Sequence, residues 1–288
     1  MSPAEHGVAR SVRQRLLNRS RDTGEDYNLL LTRYAVERLL YRLSQSEHAD
    51  AFVLKGAMLF TVWTGALHRP TRDLDLLGFG EPSEERLVGV FRNICDQAVD
   101  DDGMIFDANS VTAAPIRDEH AYAGIRLRFA AQLGNARINL QVDVGFGDVV
   151  TPEARTETYP TLLDQPAPQL RVYSRESVIA EKLEAMVSLG MANSRMKDFY
   201  DAWLLLQQFE LDDTALAAAI RATFERRRTT IPSSVPLAFT DEFATDSDKQ
   251  RQWIGFLKRS GLPHTQELLA VIHTLRDRLL PLLTRPSK

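Results

Sequence analysis

The chain has 288 residues, of which 44% are hydrophobic and 26% charged, and a formal net charge of −4. That balance belongs to an ordinary globular protein with enough length for a good core and two lobes, and it argues against a large uniform nucleic-acid surface while leaving room for a local one. A single cysteine, Cys95, excludes an internal disulfide and fits a reducing cytoplasm; no apolar run reaches the roughly 18 residues of a membrane span, the start of the chain carries no apolar signal core, and the six histidines lack zinc spacing.

Residues 1–26 are polar and basic, with Arg10, Arg13, Arg15, Arg19 and Arg21, and read as a short helix and a loop. Residues 27–46 have the pattern of an amphipathic helix. Phe52-Val53-Leu54-Lys55-Gly56-Ala57-Met58-Leu59 is a short apolar run broken by Lys-Gly, a strand or turn entering a helix. Glycine permits close backbone approach there, helix-start N–H groups favour phosphate, and Lys55 adds charge. Next comes Thr71-Arg72-Asp73-Leu74-Asp75-Leu76-Leu77. As a strand, its period of two puts Asp73 and Asp75 on one face, roughly 7 Å apart, with Leu74 and Leu76 turned to a core. Two carboxylates so placed repel each other and lose hydration, and Mg²⁺ is a natural compensation because it prefers hard oxygen ligands. The plainer reading of Asp-x-Asp is a solvated strand end.

Residues 83–99 read as a helix that buries Cys95 as a core residue, and Asp100-Asp101-Asp102-Gly103 reads as an exposed turn. A strand is predicted from Tyr122 to Leu133. In the segment 136–148, Ile138, Leu140, Val142 and Val144 alternate with Arg137, Asn139, Gln141 and Asp143, which is a half-buried strand with Asp143 near its end. Beside the Asp73/Asp75 strand it brings three carboxylates together, a clamp for phosphoryl or nucleotidyl transfer with one or two Mg²⁺ ions; otherwise Asp143 is an exposed strand residue. Pro152 to Leu170 reads as a linker, with a short strand at Leu170 to Val172. Ser174 and Glu176 open a capped helix in which Lys182 falls near the apolar side, either snorkelling or meeting an anion. In Arg195-Met196-Lys197-Asp198-Phe199-Tyr200-Asp201, Asp198 and Asp201 share a helix face. That cluster is open to three uses: internal ion pairs, orienting a substrate, or holding Lys182. Arg126, Arg128 and Arg137 fall on strand patterns, and Arg221 and Arg226–Arg228 gather later; all are candidates for RNA phosphates or simply solvated charges. Apart from a Pro/Thr/Ser stretch at 229–247, the rest is helical. The whole predicts an α+β fold, a mixed sheet with flanking helices over 1–172 and a helical C-terminal lobe over 173–288, with the site in the cleft between them.

Taken in order, the Lys-Gly-Ala, Thr-Arg-Asp-Leu-Asp-Leu, Val-Asp-Val-Gly-Phe-Gly-Asp, Ile-Ala-Glu-Lys-Leu-Glu-Ala and Arg-Met-Lys-Asp-Phe-Tyr-Asp blocks resemble the AbiEii/AbiGii nucleotidyltransferase toxins, over roughly residues 30 to 210. That family lies in the DNA polymerase β-like nucleotidyltransferase superfamily, and the related MenT toxins move nucleotides from NTP to the tRNA 3′ end and block translation. The resemblance implies Mg²⁺ on Asp73, Asp75 and Asp143, with Asp143 also activating the attacking hydroxyl. It implies NTP contacts from Lys55, Gly56, Arg72, Lys182, Lys197 and Asp198, and the last-motif aspartate at Asp201. It also implies an RNA acceptor, an AbiEi-like antitoxin partner and a role in abortive phage infection, while the lack of a long apolar run predicts no membrane association. One departure is Gly56-Ala57 where many superfamily members have Gly-Ser; Thr61, Thr64 or Thr71 is left to supply the missing hydroxyl. The alternatives in other classes are a metal-dependent phosphohydrolase or nuclease and a non-catalytic NTP-binding module.

Overall fold

The structure is a computed structural model that describes residues 3–66, 68–116 and 124–283, with side chains from residue 7 onward. The chain forms two compact units. One spans the chain to Gly147 and again Arg155–Val172; the other holds Asp148–Ala154 and everything from Tyr173 on.

The first unit contains α1 (Pro3–Thr23), α2 (Tyr27–Gln45), β1 (Phe52–Lys55), α3 (Leu59–Thr64), β2 (Asp73–Gly78), α4 (Glu84–Asp96), β3 (Met104–Phe106), β4 (Thr112–Ile116), β5 (Gly124–Leu133), β6 (Ala136–Phe146), β7 (Arg155–Thr158) and β8 (Gln169–Val172). The strands make one mixed sheet in the order β3-β5-β6-β2-β1-β8-β7, with β4 also on β5. β2 lies inside it, parallel to β6 and antiparallel to β1. Strand alternation does what the sequence pattern requires. Leu74, Leu76, Leu127, Phe129, Leu140, Val142 and Val144 are buried on one face. On that side the Phe91 ring of α4 sits 5.7 Å from Phe52 and 6.2 Å from Phe129, and α2 packs on β6. The other face carries the polar residues.

Three expectations change. α1 is one long helix of 21 residues rather than a short helix and a loop, because Ala9, Val12 and Leu16 form a stripe that is buried. The linker 152–170 contains β7, whose exposed Arg-Thr-Glu-Thr has no alternation to reveal it; it is a strand only because it pairs with β8. Asp102 is no exposed turn acid. It is 1% exposed and accepts hydrogen bonds from Arg38 (2.9 Å) and Arg42 (2.7 and 3.1 Å) of α2. Burial pushes its carboxyl up, but the two guanidiniums outweigh it and hold the group below the usual range. The predicted strand start at Tyr122 and Ala123 lies outside the described residues.

The second unit contains α5 (Arg175–Leu189), α6 (Met196–Gln208), α7 (Asp213–Arg226), α8 (Asp241–Thr245), α9 (Ser247–Arg259) and α10 (Leu268–Leu283). Ser174 caps α5 as predicted, accepting from the Ser177 N–H at 3.1 Å. Leu183, Met186, Phe199, Leu205, Ile220, Phe224 and Ile272 form its core. The Pro/Thr/Ser stretch supplies α8 and Phe243, which stacks on Phe199 at 5.4 Å.

Candidate active site

Register builds a charged row on the polar face of the sheet. Lys55 of β1 pairs with Asp75 of β2, Asp75 with Asp143 of β6, and Asp143 with Arg126 of β5. Residues directly opposite across paired strands share a face and lie about 5 Å apart. The row therefore reads Lys-Asp-Asp-Arg over four neighbouring strands. Asp73 stands on the same face two residues along β2, opposite Gln141. The three predicted acids thus share one sheet face; Asp73 is exposed, Asp75 and Asp143 half-buried.

Arg126 is the residue that sequence reasoning placed elsewhere. Its Nε and Nη2 donate to the two Asp143 carboxylate oxygens at 2.8 and 2.6 Å, a bidentate pair. Those hydrogen bonds raise the guanidinium above its ordinary range, and the charges of Asp73 and Asp75 add to the effect. All three acids therefore act on this one cation. Its polar phase in a strand antiparallel to the Asp143 strand is the signal that could have found it.

Gly56 meets the same row. Its φ is +75°, and a Cβ built there would run into the Asp75 carboxylate. Glycine is required on both counts: the left-handed conformation and the close approach. Of the three threonines that might replace the motif serine, Thr61 is buried, and Thr64 donates to the Phe60 and Ala66 carbonyls. Thr71 stands beside Asp73, its hydroxyl 3.5 Å from that residue's carbonyl. Arg72 is exposed.

The donor set fits a hard divalent cation, since Asp75 and Asp143 face each other across adjacent strands with Asp73 beside them. The acids form an open strip: among the described residues no three His, Cys, Asp or Glu side chains are gathered closely enough to hold a metal ion.

The remaining predicted residues lie in the second unit, and there the Asp198/Asp201 cluster both forms an internal ion pair and holds Lys182. The Lys182 ammonium donates to Asp198 at 2.8 Å and to Asp201 at 3.0 Å, and Arg195 pairs with Asp198 at 3.0 Å. Burial pushes the Asp198 carboxyl up, but Lys182 and Arg195 hold it below the usual range. Lys197 is exposed. Arg227 forms a second cluster with Glu184 (2.8 Å), Asp148 (3.2 Å) and Glu181 (3.4 Å). Cys95 is buried in α4, its thiol pushed up to about 12 by that burial, which suits a core residue and not a nucleophile.

Compared with known proteins, residues 38–272 match the family described as nucleotidyl transferase AbiEii toxin, type IV TA system. The chain belongs to the AbiEii nucleotidyltransferase toxin family. It is therefore a nucleotidyltransferase of a toxin–antitoxin system, with an NTP substrate and an antitoxin partner. No curated protein matches it. Two crystal structures share its fold. JHP933 from Helicobacter pylori has a TM-score of 0.51 at 16% identity, covering 88% of this chain and 91% of that one. A protein described as a candidate nucleotidyltransferase from H. pylori also has a TM-score of 0.51 at 16% identity, covering 90% and 96%. No helix among the described residues of this AbiEii-family chain is long and apolar enough to cross a membrane.

Proposed function

We propose that this toxin transfers a nucleoside monophosphate from NTP to the 3′-hydroxyl of an RNA, with the tRNA 3′ end as acceptor, so that translation stops. The observation that carries the reading is the Lys55-Asp75-Asp143-Arg126 row, with Asp73 beside it, on the polar face of the sheet in a nucleotidyltransferase. Asp73, Asp75 and Asp143 would hold Mg²⁺, which when bound offsets charge on the α-phosphate and on the departing pyrophosphate. Asp143 accepts the proton of the attacking 3′-hydroxyl, whose oxygen bonds to the α-phosphorus as the bond to pyrophosphate breaks. Arg126 fixes the orientation of the Asp143 carboxylate through two hydrogen bonds. Lys55, Arg72 and the Thr71 hydroxyl act on the nucleotide phosphates. Gly56 lets the chain pass against Asp75 and keeps that carboxylate in place. In this reading the antitoxin is AbiEi-like, the setting is the cytoplasm, and the wider role is abortive phage infection.

The test is to incubate the chain with total RNA, Mg²⁺ and each labelled NTP in turn. Label on tRNA, abolished in D73N/D75N, is the expected result. Transfer at the wild-type rate by D73N/D75N, or conversion of NTP with no gain in acceptor mass, overturns the reading.

A further inference from the structure

The acid row is the end of a longer strip. From Asp143 back along β6, the same face presents Gln141, Asn139 and Arg137; opposite them on β5 stand Arg128, across from Gln141, and Gln132, across from Arg137. Arg128, Gln132, Arg137 and Asn139 are exposed and Gln141 is half-buried. The seven residues from Arg137 to Asp143 span about 20 Å of strand. No acid interrupts this part of the hairpin face, in a chain whose net charge is −4. Among the described residues no side chain forms an ion pair with Arg128 or Arg137. The opposite face of the same hairpin, with Leu127, Phe129, Ala131, Leu133, Ile138 and Leu140, is fully committed to the core.

We propose that this strip is the track on which the acceptor RNA lies, as a single strand with its 3′ end at the carboxylates. Two guanidiniums with three amide side chains are the donors and acceptors that phosphate oxygens and ribose hydroxyls call for. The face offers no aromatic platform among these residues, so it grips the backbone and not the bases, and its affinity is governed by salt more than by sequence. A protein acceptor needs neither a guanidinium at each end of a row of amides nor this length. The inference rests on the nucleotidyl-transfer reading for the direction of the strand, and its test does not.

The experiment measures binding of a fluorescent single-stranded RNA 12-mer to the full chain by anisotropy, over a salt series and without NTP or Mg²⁺. R128Q/R137Q is compared with R10Q/R21Q, a change of equal charge at exposed arginines of α1. Losing two phosphate contacts lowers the slope of log K against log salt by about 1.4 and weakens binding roughly 25-fold at 0.1 M salt. R10Q/R21Q is expected to match wild type. If R128Q/R137Q fails to fold, R128T/R137T, with strand-favouring residues, carries the same comparison. Unchanged affinity and slope in the β5–β6 variant, or equal losses in both variants, each overturn the track. RNA binding that depends on Arg128 and Arg137, in a chain that transfers no nucleotide, supports the track and sinks only the transfer reading.

Discussion

Replacing Lys182 by methionine separates two roles for that lysine. The family resemblance assigns its ammonium to the triphosphate, whereas the structure ties it to Asp198 at 2.8 Å and Asp201 at 3.0 Å. The side chains of these two acids are 5% and 2% exposed and that of Lys182 is 15% exposed. Removing one partner of a buried ion pair costs about 3–5 kcal/mol, because the charge left behind is desolvated without compensation. Arg195 still reaches Asp198 in the variant, so the lower end, about 3 kcal/mol, applies. In a unit of this size that is a fall in Tm of about 10 °C. Calorimetry of K182M, K182R and wild type, with nucleotide transfer measured on the same samples, is the assay. The pH dependence follows from the depressed Asp198 carboxyl. A group whose folded pKa is lowered stabilises fully above its unfolded value, near 3.9, and loses that contribution as pH falls through the folded value. The gap between wild type and K182M is therefore constant above about pH 5 and shrinks below about pH 4. A K182M protein that melts within a degree of wild type yet has lost transfer would refute the structural role and return the ammonium to the nucleotide.

Two further outcomes are expected. G56A places a Cβ at φ +75°, which costs about 1–2 kcal/mol, and drives it into the Asp75 carboxylate. A melt a few degrees lower, with transfer reduced at least tenfold, is the result; wild-type kcat/KM would show that Asp75 tolerates displacement. Glu37 is 1% exposed, and burial raises its carboxyl to about 7. Its stabilising contribution is present below the unfolded value and is lost as pH rises through about 7. Wild type should lose up to roughly 3 kcal/mol between pH 5 and 8, and E37Q should lose less in a denaturant titration. Equal pH profiles for the two proteins count against that assignment.

The strands that bear the acids were legible because each alternates on its own: Leu74 and Leu76 against Asp73 and Asp75, Val142 and Val144 against Asp143. Helices α2, α4 and α5 were legible from their apolar pattern, and α5 also from its cap at Ser174; the caps at Asp26 and Ser83 emerged only in the structure. What stayed hidden depends on partners distant in sequence. Arg126 reads as one more basic strand residue until the β5–β6 register sets it opposite Asp143. Asp102 reads as a turn acid until α2 brings Arg38 and Arg42 onto it, although two arginines one helical turn apart in a buried stripe were a visible clue. β7 has no internal signal at all, since nothing on it is buried.

The interior place of β2 has a kinetic corollary. Its parallel neighbour β6 arrives more than sixty residues later in the chain, beyond α4 and the β3–β5 strands. Contacts so far apart in sequence slow folding, because the intervening loop must close before they reward it. Opening the Asp75–Asp143 pairing means dismantling the centre of the sheet. The amides of 74–77 should be among the slowest of the first unit to exchange with deuterium.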